Sequence, residues 1–151
     1  HEGIEHVADD RGAVSEAYRV LKPGGHLVIY CPNRLYPFET HGFYWRSRYR
    51  SGNIPLINYL PTPWRDRLCP HVRAYTRGEL RQLLEGLAGR TVVHRIIYAG
   101  YDNIVARRPT LGKVLREITY ALEHTPLQAF GLSHLLIYQK SALTIASQRT
   151  A

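Results

Sequence analysis

Apolar residues at Val14, Ala17, Tyr18 and Leu21 recur at i, i+3, i+4 and i+7. That spacing predicts a helix over 10–21 with one buried face, its start capped by Asp9 or Asp10. Pro23 cannot continue it, and Gly24-Gly25 allow a sharp reversal. Leu27 to Cys31 is then apolar without alternation, the pattern of a central strand covered on both faces. Regular pattern returns at Thr76, where Thr76-x-x-Glu79 reads as a capping box and Leu80, Leu83, Leu84 and Leu87 form one helical face ending before Gly89. Residues 90–98, with Val92, Val93, Ile96 and Ile97, predict a strand. A further helix is expected at 110–124 with Leu111, Val114, Leu115, Ile118 and Leu122 on one side, ended by Pro126. Gly131 precedes a last strand at 133–140.

Between Asn33 and Thr76 the pattern breaks down. Prolines 37, 55, 61, 63 and 70 and Gly52 interrupt any helix or strand, interleaved with Tyr36, Phe38, Phe43, Tyr44, Trp45, Tyr49, Tyr59, Trp64 and Tyr75. So long a segment inside a compact domain is uncommon unless it is a lid, a binding loop or disordered, and its aromatics argue against disorder. It predicts an insertion at 34–75 with short helices at 42–50 and 63–69, closing a pocket over the preceding strand. No low-complexity sequence or internal repeat occurs.

A helix, a reversal and a buried strand in this order carry a resemblance. The string Glu5-His6-Val7, then Arg19-Val20-Leu21-Lys22-Pro23-Gly24-Gly25-His26-Leu27-Val28-Ile29, then Pro32-Asn33 resembles the second half of a class I S-adenosylmethionine-dependent methyltransferase of the small-molecule type. In that family Glu-His-Val follows the fourth strand, and Arg-Val-Leu-Lys-Pro-Gly-Gly joins the next helix to the fifth. The resemblance implies an α/β fold: the C-terminal half of a Rossmann-like seven-stranded sheet whose last strand is antiparallel. It makes 1–151 a partial methyltransferase domain. The Gly-rich loop after the first strand and the acidic residue after the second would lie upstream, because no G-x-G-x-G precedes a helix here. It also implies S-adenosylmethionine as cofactor, with His1, Glu2 and Glu5 lining the pocket near the sulfonium.

Composition changes the picture little. The chain has 151 residues, 44% hydrophobic and 21% charged, which suits one domain with a real core. No apolar run approaches the roughly 18 residues of a membrane span, and the first residues lack the order of a signal peptide, so the cytoplasm is the expected location. Cys31 and Cys69 read as free thiols. The net charge of +8 invites a basic module for nucleic acid or an anionic membrane, unless an acidic half balances it. Nucleic acid is disfavoured for want of any recognised binding module; peripheral membrane contact stays open. No His/Cys pair has helical or finger spacing beside another ligand pair, so no metal is expected.

In an open α/β sheet, loops at the carboxyl ends of strands form the ligand crevice. Methyl transfer from a sulfonium needs a near-attack geometry and, for an oxygen or carbon acceptor, a group that takes a proton. Glu5, His6, Glu39, His41 and His71 are the groups available there. His41, a few residues past the fifth strand, is the first candidate base and His6 the second, with Glu39 orienting His41 or the acceptor; each also reads as an exposed loop residue. Tyr36, Phe38 and Trp45 would supply the lid's acceptor contacts. Asn33 would position the acceptor or hold its own turn. His71 and Arg73 would line the same pocket or only precede the helix cap. The expected function is methyl transfer to a small or lipid-like acceptor at oxygen or carbon. The alternatives are a non-catalytic relative and the basic module.

Overall fold

The computed structural model describes residues 3–142. A 3₁₀ turn Ile4–His6 leads to α1 (Asp10–Val20), followed by β1 (His26–Pro32). The inserted segment holds β2 (Phe38–Glu39), β3 (Phe43–Trp45), β4 (Arg48–Arg50), β5 (Ile54–Pro55), a 3₁₀ turn Ile57–Tyr59 and α2 (Thr62–Leu68). Then come α3 (Arg77–Leu83), β6 (Gly89–Ile97), α4 (Asp102–Arg107), α5 (Pro109–Leu122), a 3₁₀ turn Pro126–Phe130 and β7 (Ser133–Lys140).

The local chemistry of these boundaries is visible residue by residue. Asp9 caps α1, its side chain accepting from the Gly12 N–H at 2.8 Å. Gly24, at φ +77°, takes the left-handed turn a side chain would resist. Lys140, at the end of β7, donates to the carbonyls of Tyr18 and Leu21 at 2.9 and 2.8 Å, satisfying the last turn of α1 with a cation where the helix dipole favours one. The Thr76–Glu79 capping box is present on both sides, with the Glu79 carboxylate accepting from the Thr76 N–H at 2.7 Å.

The main sheet has the order β1-β7-β6, and β7 runs antiparallel to both neighbours. Here the burial pattern departs from the expectation for Leu27 to Cys31. The central strand is β7, whose Leu136, His134 and Tyr138 are buried. Among the described residues β1 pairs in a ladder along one edge, and Val28 on its second face is 58% exposed. The inward face of the sheet packs Ile29, Cys31 and Leu136 under Val14 of α1 and Leu80 of α3, with Leu84 and Tyr75 completing the core. Along the free edge of β1, Ile4, Val7, Ala17, Val28 and Tyr30 line an apolar groove of about 250 Å³.

Two further expectations are corrected. Residues 42–50 form no helix: β3 and β4 make a hairpin whose two turn residues, Arg46 and Ser47, both lie at positive φ (47° and 62°). Paired positive φ angles match the twist of a two-residue hairpin, and aromatic residues at 43–45 suit strands. The stripe expected to bury 110–124 is only partly covered: Leu111, Val114 and Ile118 are about half exposed and Leu115 and Leu122 half-buried, while Gly112 and Thr119 are buried. The preceding α4, absent from the expected elements, is the reason. α5 packs closely on it through Gly112, where an added Cβ would sit 2.5 Å from Val105 Cα. The helix expected at 63–69 and the strand at 90–98 are present within a residue or two.

Residues 34–75 are ordered around a small core of their own, Ile57, Cys69 and Val72 with Phe43, Ile54 and Leu68. The segment returns along the carboxyl end of β1. The Tyr75 N–H donates to the Pro32 carbonyl, and the Arg34 N–H to the Tyr75 carbonyl, both at 2.9 Å. The Arg73 N–H donates to the Glu5 carbonyl at 2.9 Å. That return joins the insertion to the 3₁₀ turn before α1.

Candidate functional site

Five of the crevice-facing candidates meet beyond the carboxyl end of β1: Glu5, His6, Glu39, His41 and His71. The centre of the assembly is a buried ion pair. Arg65 and Glu39 are 1% and 2% exposed, and Arg65 Nη2 donates to Glu39 Oε2 at 2.9 Å. The remaining donors of Arg65 reach the Val72 carbonyl at 2.9 Å and Asn58 Oδ1 at 3.2 Å. Asn58 in turn donates to the carbonyls of Tyr36 and Phe38, so α2 and β2 are tied through one guanidinium. A buried charge is tolerated when paired and hydrogen-bonded on every side.

Glu39 also holds His41. Its Oε1 accepts from the His41 backbone N–H at 2.8 Å and lies 3.2 Å from Nδ1. Burial, the largest single influence, pushes the Glu39 carboxyl up; the hydrogen bonds from His41 and the charge of Arg65 outweigh it, leaving the group below the usual range. A carboxylate at Nδ1 places that ring nitrogen's proton, so the lone pair resides on Nε2. This carboxylate-oriented imidazole is the arrangement that general bases use.

The other two histidines are locked by backbone carbonyls. A carbonyl only accepts, so His6 donates from Nδ1 to the His71 carbonyl at 2.7 Å, and His71 donates from Nε2 to the His41 carbonyl at 3.1 Å. The rings of His6 and His41 meet edge-on with centroids 5.9 Å apart. His71 sits edge-on to Tyr44 and Tyr49, and its Nδ1 is buried without a hydrogen-bond partner among the described residues. Glu5 is 1% exposed; Oε2 accepts from the Gly3 N–H at 2.8 Å, while Oε1 is buried without a hydrogen-bond partner among the described residues, 3.8 Å from His6 Nε2.

The remaining candidates lie elsewhere. Asn33 is 1% exposed and committed to backbone: its Nδ2 donates to Ala129 and Gly131, and its Oδ1 accepts from the Leu35 N–H. Those bonds hold its turn against the approach to β7. Tyr36 packs its ring on Phe38 at 5.8 Å, with its hydroxyl raised by burial and by Tyr101 and Tyr98 nearby. Trp45 is half exposed on the hairpin beside Arg67 and Leu68 of α2. Arg73 faces away from the cluster, paired with Asp10 at 2.8 Å. His1 and Glu2 lie outside the described residues.

Among the described residues no three His, Cys, Asp or Glu side chains are grouped to hold a metal ion, and no helix is long and apolar enough to cross a membrane. Cys31 and Cys69 are buried free thiols, the latter pushed up to about 11, chiefly by burial and then by Glu39. Reading the sequence missed Arg65, the residue on which the cluster rests. It lies in a helix expected from the sequence, yet nothing local separates it from the exposed arginines around it.

No curated protein and no solved structure matches the chain. Residues 1–29, which include the 3₁₀ turn of Glu5 and His6, α1 and the first half of β1, match the sequence model of a family described as a methyltransferase domain.

Proposed function

We propose that this chain is the carboxyl-terminal part of an S-adenosylmethionine-dependent methyltransferase acting on a small or lipid-like acceptor at oxygen or carbon, with His41 as general base and Glu39 as its positioning residue. The observation that carries the reading is the methyltransferase-domain match over residues 1–29. It runs directly into the strand whose carboxyl end bears the histidine cluster. The sheet order supports it: β1 and β6 are parallel to each other around an antiparallel β7. The unpaired edge of β1 and its apolar groove are open to the further parallel strands that a seven-stranded sheet would add.

Of the three residues assigned to the cofactor, Glu5 is the one whose surroundings are described. Its buried Oε1, without a hydrogen-bond partner among the described residues, fits a donor-bearing or cationic group arriving beside His6. Bound there, S-adenosylmethionine would supply a methyl group on an already activated sulfonium. The chain's own residues do the rest. Glu39 holds the His41 ring through Nδ1, and Nε2 takes the acceptor's proton. Residues 34–75, packed on their own small core, keep that ring in place and shield it from water.

Calorimetric titration of S-adenosylmethionine into the intact protein should show saturable one-to-one binding. His41→Asn should keep that binding while lowering methyl transfer by about 10²-fold or more. Absence of cofactor binding would remove the enzymatic reading; unchanged transfer in His41→Asn would remove the base assignment alone.

A further inference from the structure

The hairpin of β3 and β4 is exposed from Tyr44 to Arg50 and, among the described residues, forms a two-stranded sheet of its own. Its ladder sets Trp45 opposite Arg48 and Phe43 opposite Arg50, and residues paired in this way share a face. Phe43 packs that face on the small core of the insertion, Leu68 of α2 included. The face continues onto the helix, where Trp45 and Arg46 line one recess with Arg67 and Leu68. Trp64 precedes Arg67 and Leu68 by one turn of α2 and so stands on the same side. Trp45 and Trp64 are 50% and 66% exposed, and they are the two tryptophans of the chain.

The charge of this patch is one-sided. From Phe43 to Leu68 the sequence holds one carboxylate, Asp66, against Arg46, Arg48, Arg50, Arg65 and Arg67. Among the described residues the arginines that pair with carboxylates are Arg19, Arg65, Arg73 and Arg116. The guanidiniums of Arg46, Arg48, Arg50 and Arg67 are exposed and make no ion pair or hydrogen bond among those residues. Asp66 lies 3.8 Å from Arg65, and one carboxylate does not balance four guanidiniums.

Exposed indoles among unpaired guanidiniums suit the surface of an anionic bilayer. The ring seats at headgroup level, with its apolar body toward the acyl chains and its N–H toward water, while arginines meet phosphates and carboxylates of the headgroups. Such a surface spreads its negative charge across the whole patch. A nucleic-acid strand suits the patch less well, because the tyrosines of the hairpin's other face are not free to stack on bases. Tyr44 and Tyr49 meet edge-on at 5.5 Å and both lie against His71, and the Tyr49 hydroxyl donates to the His41 carbonyl at 2.7 Å. Two indoles on separate elements are left, rather than the run of ring faces that tracks a single strand.

We propose that the hairpin and the exposed side of α2 dock this protein on an anionic lipid surface through Trp45 and Trp64 and through Arg46, Arg48, Arg50 and Arg67. The docking does not depend on methyl transfer and is tested without it. In vesicle sedimentation the full chain should bind phosphatidylcholine vesicles containing about one-third phosphatidylserine, more weakly as salt rises, and should leave pure phosphatidylcholine vesicles unbound. Tryptophan emission should move to shorter wavelength on binding, because both indoles leave water. Combining Arg46→Gln, Arg48→Gln and Arg50→Gln should weaken binding about 10-fold or more, while Arg107→Gln, an exposed arginine of α4, should leave it unchanged. Circular dichroism checks that the triple variant stays folded; if it does not, the wild-type emission shift and Arg67→Gln decide. Equal binding to both kinds of vesicle, binding without an emission shift, equal binding by the folded hairpin variant, or an equal loss in Arg107→Gln would overturn the docking surface. Tighter binding of oligouridylate than of the anionic vesicles would overturn it in favour of a nucleic-acid strand.

Discussion

Arg65 and Glu39 show how far a residue's role depends on its surroundings. Both are long, charged and set among prolines and aromatics, the company of solvated loop residues, yet together they form the most buried charges of the insertion. Removing one partner leaves the other uncompensated in a low-dielectric setting, which costs about 3–5 kcal/mol. Arg65→Met should therefore destabilise the protein by that amount in urea unfolding and should release His41 from its carboxylate. Glu39→Gln should cost less, since an amide oxygen still accepts from the His41 N–H. A loss below about 0.5 kcal/mol for Arg65→Met, the range of ordinary surface substitutions, would mean that the pair does not hold the insertion.

At the scale of elements, the contrast is between α3 and α5. Both carry leucines at helical spacing, and α3 buries its stripe because the sheet lies beneath it. α5 meets α4 instead, through the small Gly112, and its stripe remains half exposed. Gly112→Ala places a methyl 2.6 Å from the Val105 backbone nitrogen, a contact that only a backbone shift relieves. The expected cost is about 1–3 kcal/mol, confined to the helical pair. Hydrogen exchange should speed up across 102–122 while β6 and β7 keep their protection; uniform protection throughout would argue against the close approach.

For the whole molecule, acid is the weak direction. His134, 0% exposed, donates from Nε2 to the Tyr75 carbonyl at 2.9 Å, which leaves Nδ1 to accept from His94 Nε2 at 3.2 Å. Both rings are thereby held neutral. Burial, then the neighbouring His134 and arginines 77 and 81, pulls His94 down to about 4 from an ordinary 6.5, and burial lowers His134 as well. A histidine whose folded pKa is depressed binds fewer protons than the unfolded chain between those two values, so stability rises with pH across that window. The full contribution is present above about 6.5 and lost as pH falls toward 4. Melting temperatures should decline over that range, with the upper part of the decline flattened in His94→Leu; a flat profile in the wild type would show that neither ring is held neutral.

Local order was legible because its causes are local. The cap of α1, the reversal at Gly24, the capping box of α3 and the strands at either end of the fold each depend on residues within one or two turns of one another. The meeting of His6, His41 and His71 was legible in part, as a set of titratable residues in segments past strand ends. Their joining through backbone carbonyls was not, since it depends on the return of 73–75 along β1. Tertiary structure alone decided that β7 pairs on both edges among the described residues, because hydrogen-bonding on two edges is a property of sheet order and not of any strand's composition. It decided equally that the apolar stripe of α5 would stay half exposed and that Arg65 would be buried. Each of those outcomes is set by a partner more than a turn away, and pairing between distant segments leaves no periodic trace in the chain.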